Sequence, residues 1–200
     1  MNRAVPPIEA RSYEILRGTV DTSGLPTRVR DVVERVIHTT ADPSWLDDLV
    51  TDEAALDAGA RALAAGAPLV VDAAMVAAGI TGYPSICLVA EAETRELAEV
   101  SGLTRSAAAI RLAAARHPHG AVWAVGNAPT ALAELIRLAG SGEVRPALVV
   151  GVPVGYVGAV EAKQALRQTG LPQLSNRTAR GGSAIAAASI NALLYGDPLA

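Results

Sequence analysis

The feature that most restricts what this chain can become is a series of short apolar runs: Leu69 to Val71, Ile86 to Val89, Val122 to Val125 and Ala147 to Val150. Each is strand length and most are β-branched, so they read as strands buried on both faces of a parallel sheet. A weaker fifth run surrounds Leu174. Between and after them lie helical patterns at Thr104 to Arg116, Thr130 to Leu138, Val157 to Gln168 and Ser183 to Leu194. Such alternation implies a three-layer α/β domain with a mostly parallel sheet of about five strands. Upstream the pattern is helical: Glu9 to Arg17, then a helix introduced by Leu25-Pro26 with Val29, Val32, Val33, Val36 and Ile37 on one face, then Asp52 to Ala65. One domain over 1-200 is expected, with a helical section at about 8-65 and the alternation at about 68-195.

Composition removes several function classes. Half of the residues are apolar, and the formal net charge is -3, without the basic excess of general nucleic-acid binders. Aromatics make up 3% and phenylalanine is absent, so stacking platforms for bases are not expected. Cys87 is the single cysteine, which excludes an internal disulfide and fits the cytoplasm. No Cys/His cluster has zinc spacing, so no metal site is expected. The longest apolar stretch, Leu63 to Ile80, is interrupted by Gly66, Pro68, Asp72 and Gly79 and reads as helix end, turn and buried strand, not as a membrane span. The opening Met1-Asn2-Arg3-Ala4-Val5-Pro6-Pro7 lacks the pattern of a targeting leader.

Three strand-to-helix junctions carry unusual chemistry: Gly126-Asn127-Ala128-Pro129-Thr130, the stretch from Gly151 through Gly155 and Tyr156 to Gly158, and Arg180-Gly181-Gly182-Ser183. Glycine admits close backbone approach, and helix starts present unpaired N–H groups to anions. In a parallel sheet these junctions gather at the carboxyl edge, where ligands of such folds bind. None is a dinucleotide or Walker fingerprint, so a nucleotide is not indicated; tight turns and close packing alone would also use these glycines. Thr104-Arg105-Ser106 opens another helix, with Arg105 placed against the helix dipole. A guanidinium there, or at Arg177 and Arg180, can grip a carboxylate through two hydrogen bonds.

His117 and His119 flank Pro118 in an exposed turn. His38 follows the valine face and belongs at a helix C-terminus, where the dipole favours its protonated form. A capping histidine and a proton donor are both open there. No Ser/His/Asp or Cys/His set supports covalent chemistry.

Thr104-Arg105-Ser106-Ala107-Ala108-Ala109, Gly126-Asn127-Ala128-Pro129-Thr130-Ala131-Leu132, Pro153-Val154-Gly155-Tyr156-Val157-Gly158-Ala159 and Gly181-Gly182-Ser183-Ala184, in this order, resemble the precorrin-8X methylmutase (precorrin isomerase) family of cobalamin biosynthesis. The similarity runs from about Ile8 to Leu194. It implies a flavodoxin-like fold, a homodimer, no cofactor, and migration of a methyl group from C11 to C12 of precorrin-8X or its cobalt analogue. It also implies that His38, in Ile37-His38, is the catalytic residue, protonating or hydrogen-bonding the macrocycle to assist a 1,5-sigmatropic shift. The implied substrate contacts are Ser12, Tyr13, Thr39, Thr104, Arg105, Ser106, Asn127, Thr130, Gly155, Arg177, Gly182 and Ser183. An intramolecular shift needs positioning and one poised proton, which suits so sparse an inventory. Departures from the family pattern at Tyr13, Ala74 and a shortened loop between Ile80 and Ile86 motivate an alternative, a non-catalytic tetrapyrrole carrier of the same fold.

Overall fold

The structure, a computed structural model, describes residues 6–199, so the opening residues 1–5, within the stretch read as lacking a leader, lie outside the described residues. The order of elements is α1 (Pro7–Thr19), α2 (Thr27–Thr40), α3 (Trp45–Asp48), β1 (Leu49–Val50), α4 (Glu53–Ala64), β2 (Leu69–Val71), α5 (Ala74–Gly79) and α6 (Ala92–Ser101). There follow α7 (Arg105–Arg116), β3 (Val122–Val125), α8 (Pro129–Gly140), β4 (Leu148–Gly151), α9 (Ala159–Arg167), β5 (Gln173–Asn176) and α10 (Ser183–Tyr195). Among the described residues no helix is long and apolar enough to cross a membrane.

The sheet order is β1-β5-β4-β3-β2, with β2 to β5 parallel and β1 antiparallel at the edge. Strand pleating divides the core. Val122, Ala124, Leu148, Val150 and Leu174 face a layer built from α1, α2, α4 and α10, whereas Trp123, Val125 and Val149 face α7, α8 and α9. The three-layer expectation is met.

Two readings need correction. The run from Ile86 to Val89 is not a strand; it is reduced to one parallel bridge from Ile86 to Val70, closed by Ile86 N–H to the Leu69 carbonyl and Val71 N–H to the Ile86 carbonyl. Ile86 still occupies the outer place beside β2, so the parallel elements in chain order lie 2-1-3-4-5, the flavodoxin-like arrangement. The second correction concerns Leu63 to Ile80, which after β2 continues into the short helix α5. Together with α3 and α6, it escapes the sequence pattern because each buries only one or two side chains. The switch in strand order falls between β2 and β3, which opens a crevice at their carboxyl ends.

Asp31, on α2 close to Gly196, is buried, and its Oδ1 has no hydrogen-bond partner among the described residues. Burial, helped by Asp197, pushes its pKa up to about 6. Because that exceeds the unfolded value of about 3.9, the native state holds the proton more tightly, and stability present below about pH 4 is lost as pH rises through about 6. Asp31→Asn is therefore expected to raise the unfolding free energy at about pH 7.5 by about 2 kcal/mol and to add almost nothing at about pH 4. Urea midpoints at the two pH values test this; equal gains at both would contradict it.

Candidate active site

His38 lies two residues before the end of α2, after which Ala41 takes a left-handed conformation (φ 52°) that stops the helix. The ring is fixed on two sides by α1. Its Nδ1 pairs with the Ser12 hydroxyl at 2.9 Å, and Tyr13 stacks on it with centroids 4.8 Å apart. Ser12 and Tyr13 are adjacent in α1, so they project to either side of the imidazole when α1 crosses α2. Tyr13 is itself buried, and Arg35 lies over its ring at 5.9 Å. Nδ1 is thus occupied and Nε2 has no protein partner among the described residues. His38 does not cap its own helix.

A cavity of about 200 Å³ opens at the imidazole, lined by Ser12, Ile15, Leu16, Ile37, Ala41 and Pro43 among others. Burial is the largest influence on His38; it lowers the pKa, Glu9 pulls it back and Arg35 lowers it further. The direction is opposite to that expected from the helix dipole, because partial removal from water disfavours the charged ring.

What ties this helix end to the glycine turns is Arg180. Its guanidinium reaches Asp42 and the Ser44 hydroxyl (2.9 Å) beyond α2, Asp48 (3.0 Å) on α3, and stacks over Trp45 at 4.4 Å. Arg180 also lines a second cavity of about 490 Å³ with Val154, Gly155, Tyr156, Thr178 and Ala179. Sequence alone offers Arg180 as a free carboxylate clamp. With two protein carboxylates already in contact it is instead a strut that holds the two cavities side by side.

The other implied contacts divide into groups. Thr104 caps α7, its hydroxyl accepting from Ala107 N–H at 3.2 Å, and meets the Thr130 hydroxyl at 2.8 Å, so the starts of α7 and α8 are joined. Arg105 is exposed beside them and, among the described residues, pairs with no carboxylate. Ser106 and Asn127 share this corner. Gly182 and Ser183 begin α10, after Gly181, where φ is 147° and a Cβ would lie 2.2 Å from the Val152 carbonyl oxygen, so no side chain fits. Thr39 is exposed on the last turn of α2, but its hydroxyl donates to the Arg35 carbonyl at 2.7 Å. Arg177 is not drawn into either cavity lining; its Nε donates to the Asp47 carbonyl. His117 and His119 precede β3, at the opposite edge of the sheet.

Two positioning acids escape the sequence pattern. Asp72, fully buried just after β2, accepts from the N–H groups of Gly126, Asn127 and Ala128 at 2.9, 2.9 and 2.7 Å. Burial pushes its carboxyl upward against the pull of these three donors. Asp48 accepts from the N–H groups of Arg177 and Thr178 and from the Thr178 hydroxyl as well as Arg180. Those bonds keep its carboxyl below the usual range despite burial. For Asp72 the signal that could have found it is an acid placed directly after a buried strand, where only a hydrogen-bonded carboxylate is tolerated; Asp48, beside the half-buried β1, carries no such signal.

Comparison with known proteins agrees with this fold. The precorrin-8X methylmutase family model matches residues 7–196. A cobalt-precorrin-8 methylmutase from Methanothermobacter thermautotrophicus is 40% identical over 189 residues, covering 94% of this chain and 91% of the relative. A precorrin-8X methylmutase from Pseudomonas aeruginosa is 41% identical over 194 residues, covering 93% of each. The crystal structure of a precorrin-8X methylmutase from Thermus thermophilus superposes with a TM-score of 0.85 at 36% identity, again over 93% of both chains. From its first helix to its last, this chain belongs to the precorrin-8X methylmutase family.

Proposed function

We propose that the protein is an isomerase that moves a methyl group from C11 to C12 of precorrin-8X, or of its cobalt-containing counterpart, giving hydrogenobyrinate or the cobalt corrin. The observation that carries this reading is the His38 ring, clamped at Nδ1 by Ser12 and on one face by Tyr13, with Nε2 left for a ligand. The bond that breaks and the bond that forms belong to the same substrate, so the protein's task is to hold the ring system and to place one proton. Nε2 donates that proton, or a hydrogen bond, to the macrocycle and makes its conjugated system more electron-demanding during the shift. The Ser12 hydroxyl accepts from Nδ1–H in the imidazolium and again in the neutral ring left when Nε2 gives up its proton, so it keeps the ring in place through the proton cycle.

Acetate and propionate groups on the macrocycle rim find donors at the carboxyl edge: Arg105, Asn127, the paired Thr104 and Thr130 hydroxyls, and the start of α10 at Gly182 and Ser183. Tyr156 is 100% exposed and Val157 88%, apolar surface beside the second cavity that a second copy of the chain covers in the homodimer. No cofactor enters this chemistry, and the lone Cys87 suits the cytoplasm. Relatives named for the cobalt-free and for the cobalt-containing substrate are alike in their similarity to this chain, at 41% and 40% identity. Both are methylmutases; a carrier draws no support from them.

Incubation with each substrate tests the reading: the visible spectrum should change as conjugation changes while the mass does not. An unchanged spectrum with both substrates would refute it. The depressed His38 pKa adds a second expectation. If the imidazolium supplies the proton, kcat/KM rises as pH is lowered from about 8 towards a value below the usual 6.5 of histidine. A rate independent of pH over that range would leave His38 as a hydrogen-bond donor only.

A further inference from the structure

Lys163 is the only lysine in the chain; the other basic side chains counted in its 17 are arginines. It is also fully buried. From α9 its Nζ donates to the Asn176 side-chain oxygen at 2.9 Å, to the Arg180 carbonyl at 2.7 Å and to the Thr178 carbonyl. All three acceptors are neutral, and they belong to the end of β5 and the turn that follows it. An ammonium has three donors on one compact atom, which suits three converging oxygens; a planar guanidinium does not. A cation without a contacting carboxylate is a costly thing to bury, so its position under this one turn calls for a physical account.

The charged groups around it are few. Asp48, on α3, is linked to the ammonium through Asn176, whose Nδ2 donates to Asp48 Oδ2 at 3.1 Å. Arg167 lies on the same helix and donates to the Asn176 carbonyl at 3.0 Å. Arg177 and Arg180 come from the turn itself, and Arg180 is matched by Asp42 and Asp48. Hydrogen bonds hold the Asp48 carboxyl below its usual range, whereas burial brings Lys163 into the weakly alkaline range.

We propose that Lys163 is a positioning residue for the substrate: by drawing the carbonyls of Thr178 and Arg180 to one buried point, it sets the Arg180-Gly181-Gly182-Ser183 turn in the shape that receives a peripheral carboxylate of the macrocycle. The same two carbonyls fix where the Arg180 strut begins, so the ammonium also governs how the glycine turn stands against the helix end that bears His38. The nearby positive charge favours an anionic group on the outer side of the turn. Burial lowers the Lys163 pKa to about 8, so this support weakens within an accessible pH range.

The inference rests on the methylmutase reading, and the experiment separates the two. A sole lysine gives a single side-chain signal when the protein is made with isotope-labelled lysine, so wild-type protein can be titrated with hydrogenobyrinate by NMR. Saturation is expected to shift the Lys163 signal and raise its pKa, and product affinity is expected to fall several-fold as pH rises through about 8. Lys163→Met is expected to weaken product binding and raise KM by about tenfold, to change kcat less, and to abolish the alkaline loss of affinity. An unmoved lysine signal at saturation, or a Lys163→Met protein with wild-type KM and pH profile, overturns the inference while leaving the mutase reading intact. Failure of wild-type protein to bind hydrogenobyrinate at any pH, with no turnover, overturns the mutase reading itself. Should the variant fold poorly, the wild-type NMR titration and pH profile still decide.

Discussion

Replacement of His38 by alanine is expected to lower the rate of methyl migration by about 10²- to 10⁴-fold, the range typical of a positioned acid or base, while product affinity changes by no more than a few-fold. The reason is geometric. Ser12 and Tyr13 hold the imidazole without help from any ligand, and its removal leaves the helix α2, the Arg180 strut and the carboxyl-edge donors as they were. Loss in kcat with retained binding is the signature of a group used in the transition state and little in the ground state. Single-turnover rates from spectral change, paired with product binding measured separately, distinguish this from a general loss of the site. A variant of undiminished turnover would remove His38 from the chemistry, and equal losses in affinity and rate would make it a binding residue.

Asp72→Ala is expected to be the most destabilising single change at the substrate edge. The carboxylate is fully buried and satisfies three consecutive backbone N–H groups. Alanine leaves those donors without acceptors, each at a cost of about 1 to 3 kcal/mol, and opens a small void besides. Partial relaxation of the loop brings the sum to about 3 to 5 kcal/mol, or a fall in Tm of about 10 °C for a chain of this size. Because the loop carries Asn127 and leads to Thr130, product affinity should fall at temperatures where the variant is still folded. A Tm within about 2 °C of wild type would show that water or a rearranged loop replaces the carboxylate.

Much of the architecture can be read from residue order. The runs at Leu69, Val122 and Ala147 predict three strands within a residue or so, and the cap residues Asp52 and Thr104 mark the starts of α4 and α7. Local chemistry suffices there, since a β-branched apolar run has few other places to go and a side-chain oxygen before a helix has a defined partner. At Ile86 the same argument fails. An apolar run at the sheet margin has a neighbour on one side only, and a single bridge to Val70 is all that forms.

The site divides in the same way. Its glycine turns and Thr104-Arg105-Ser106 are legible as anion-seeking helix starts, because backbone donors at such starts are a local property. The environment of His38 is not. Helix position argues for a charged ring, whereas the crossing of α1 over α2 partly withdraws it from water and lowers its pKa. Arg180, Asp48 and Asp72 are a matter of contact between segments far apart in the chain, and Lys163 of contact between a helix and the strand and turn that follow it. The Asp48 to Arg177 bond, for example, joins residues 129 positions apart. Spacing in sequence could therefore say which groups were able to hold a charge or a proton, since that capacity resides in each side chain. Which of them were matched by a partner, and which were left for a ligand, was decided only when the sheet closed, because burial and neighbouring charge exist only in the folded chain.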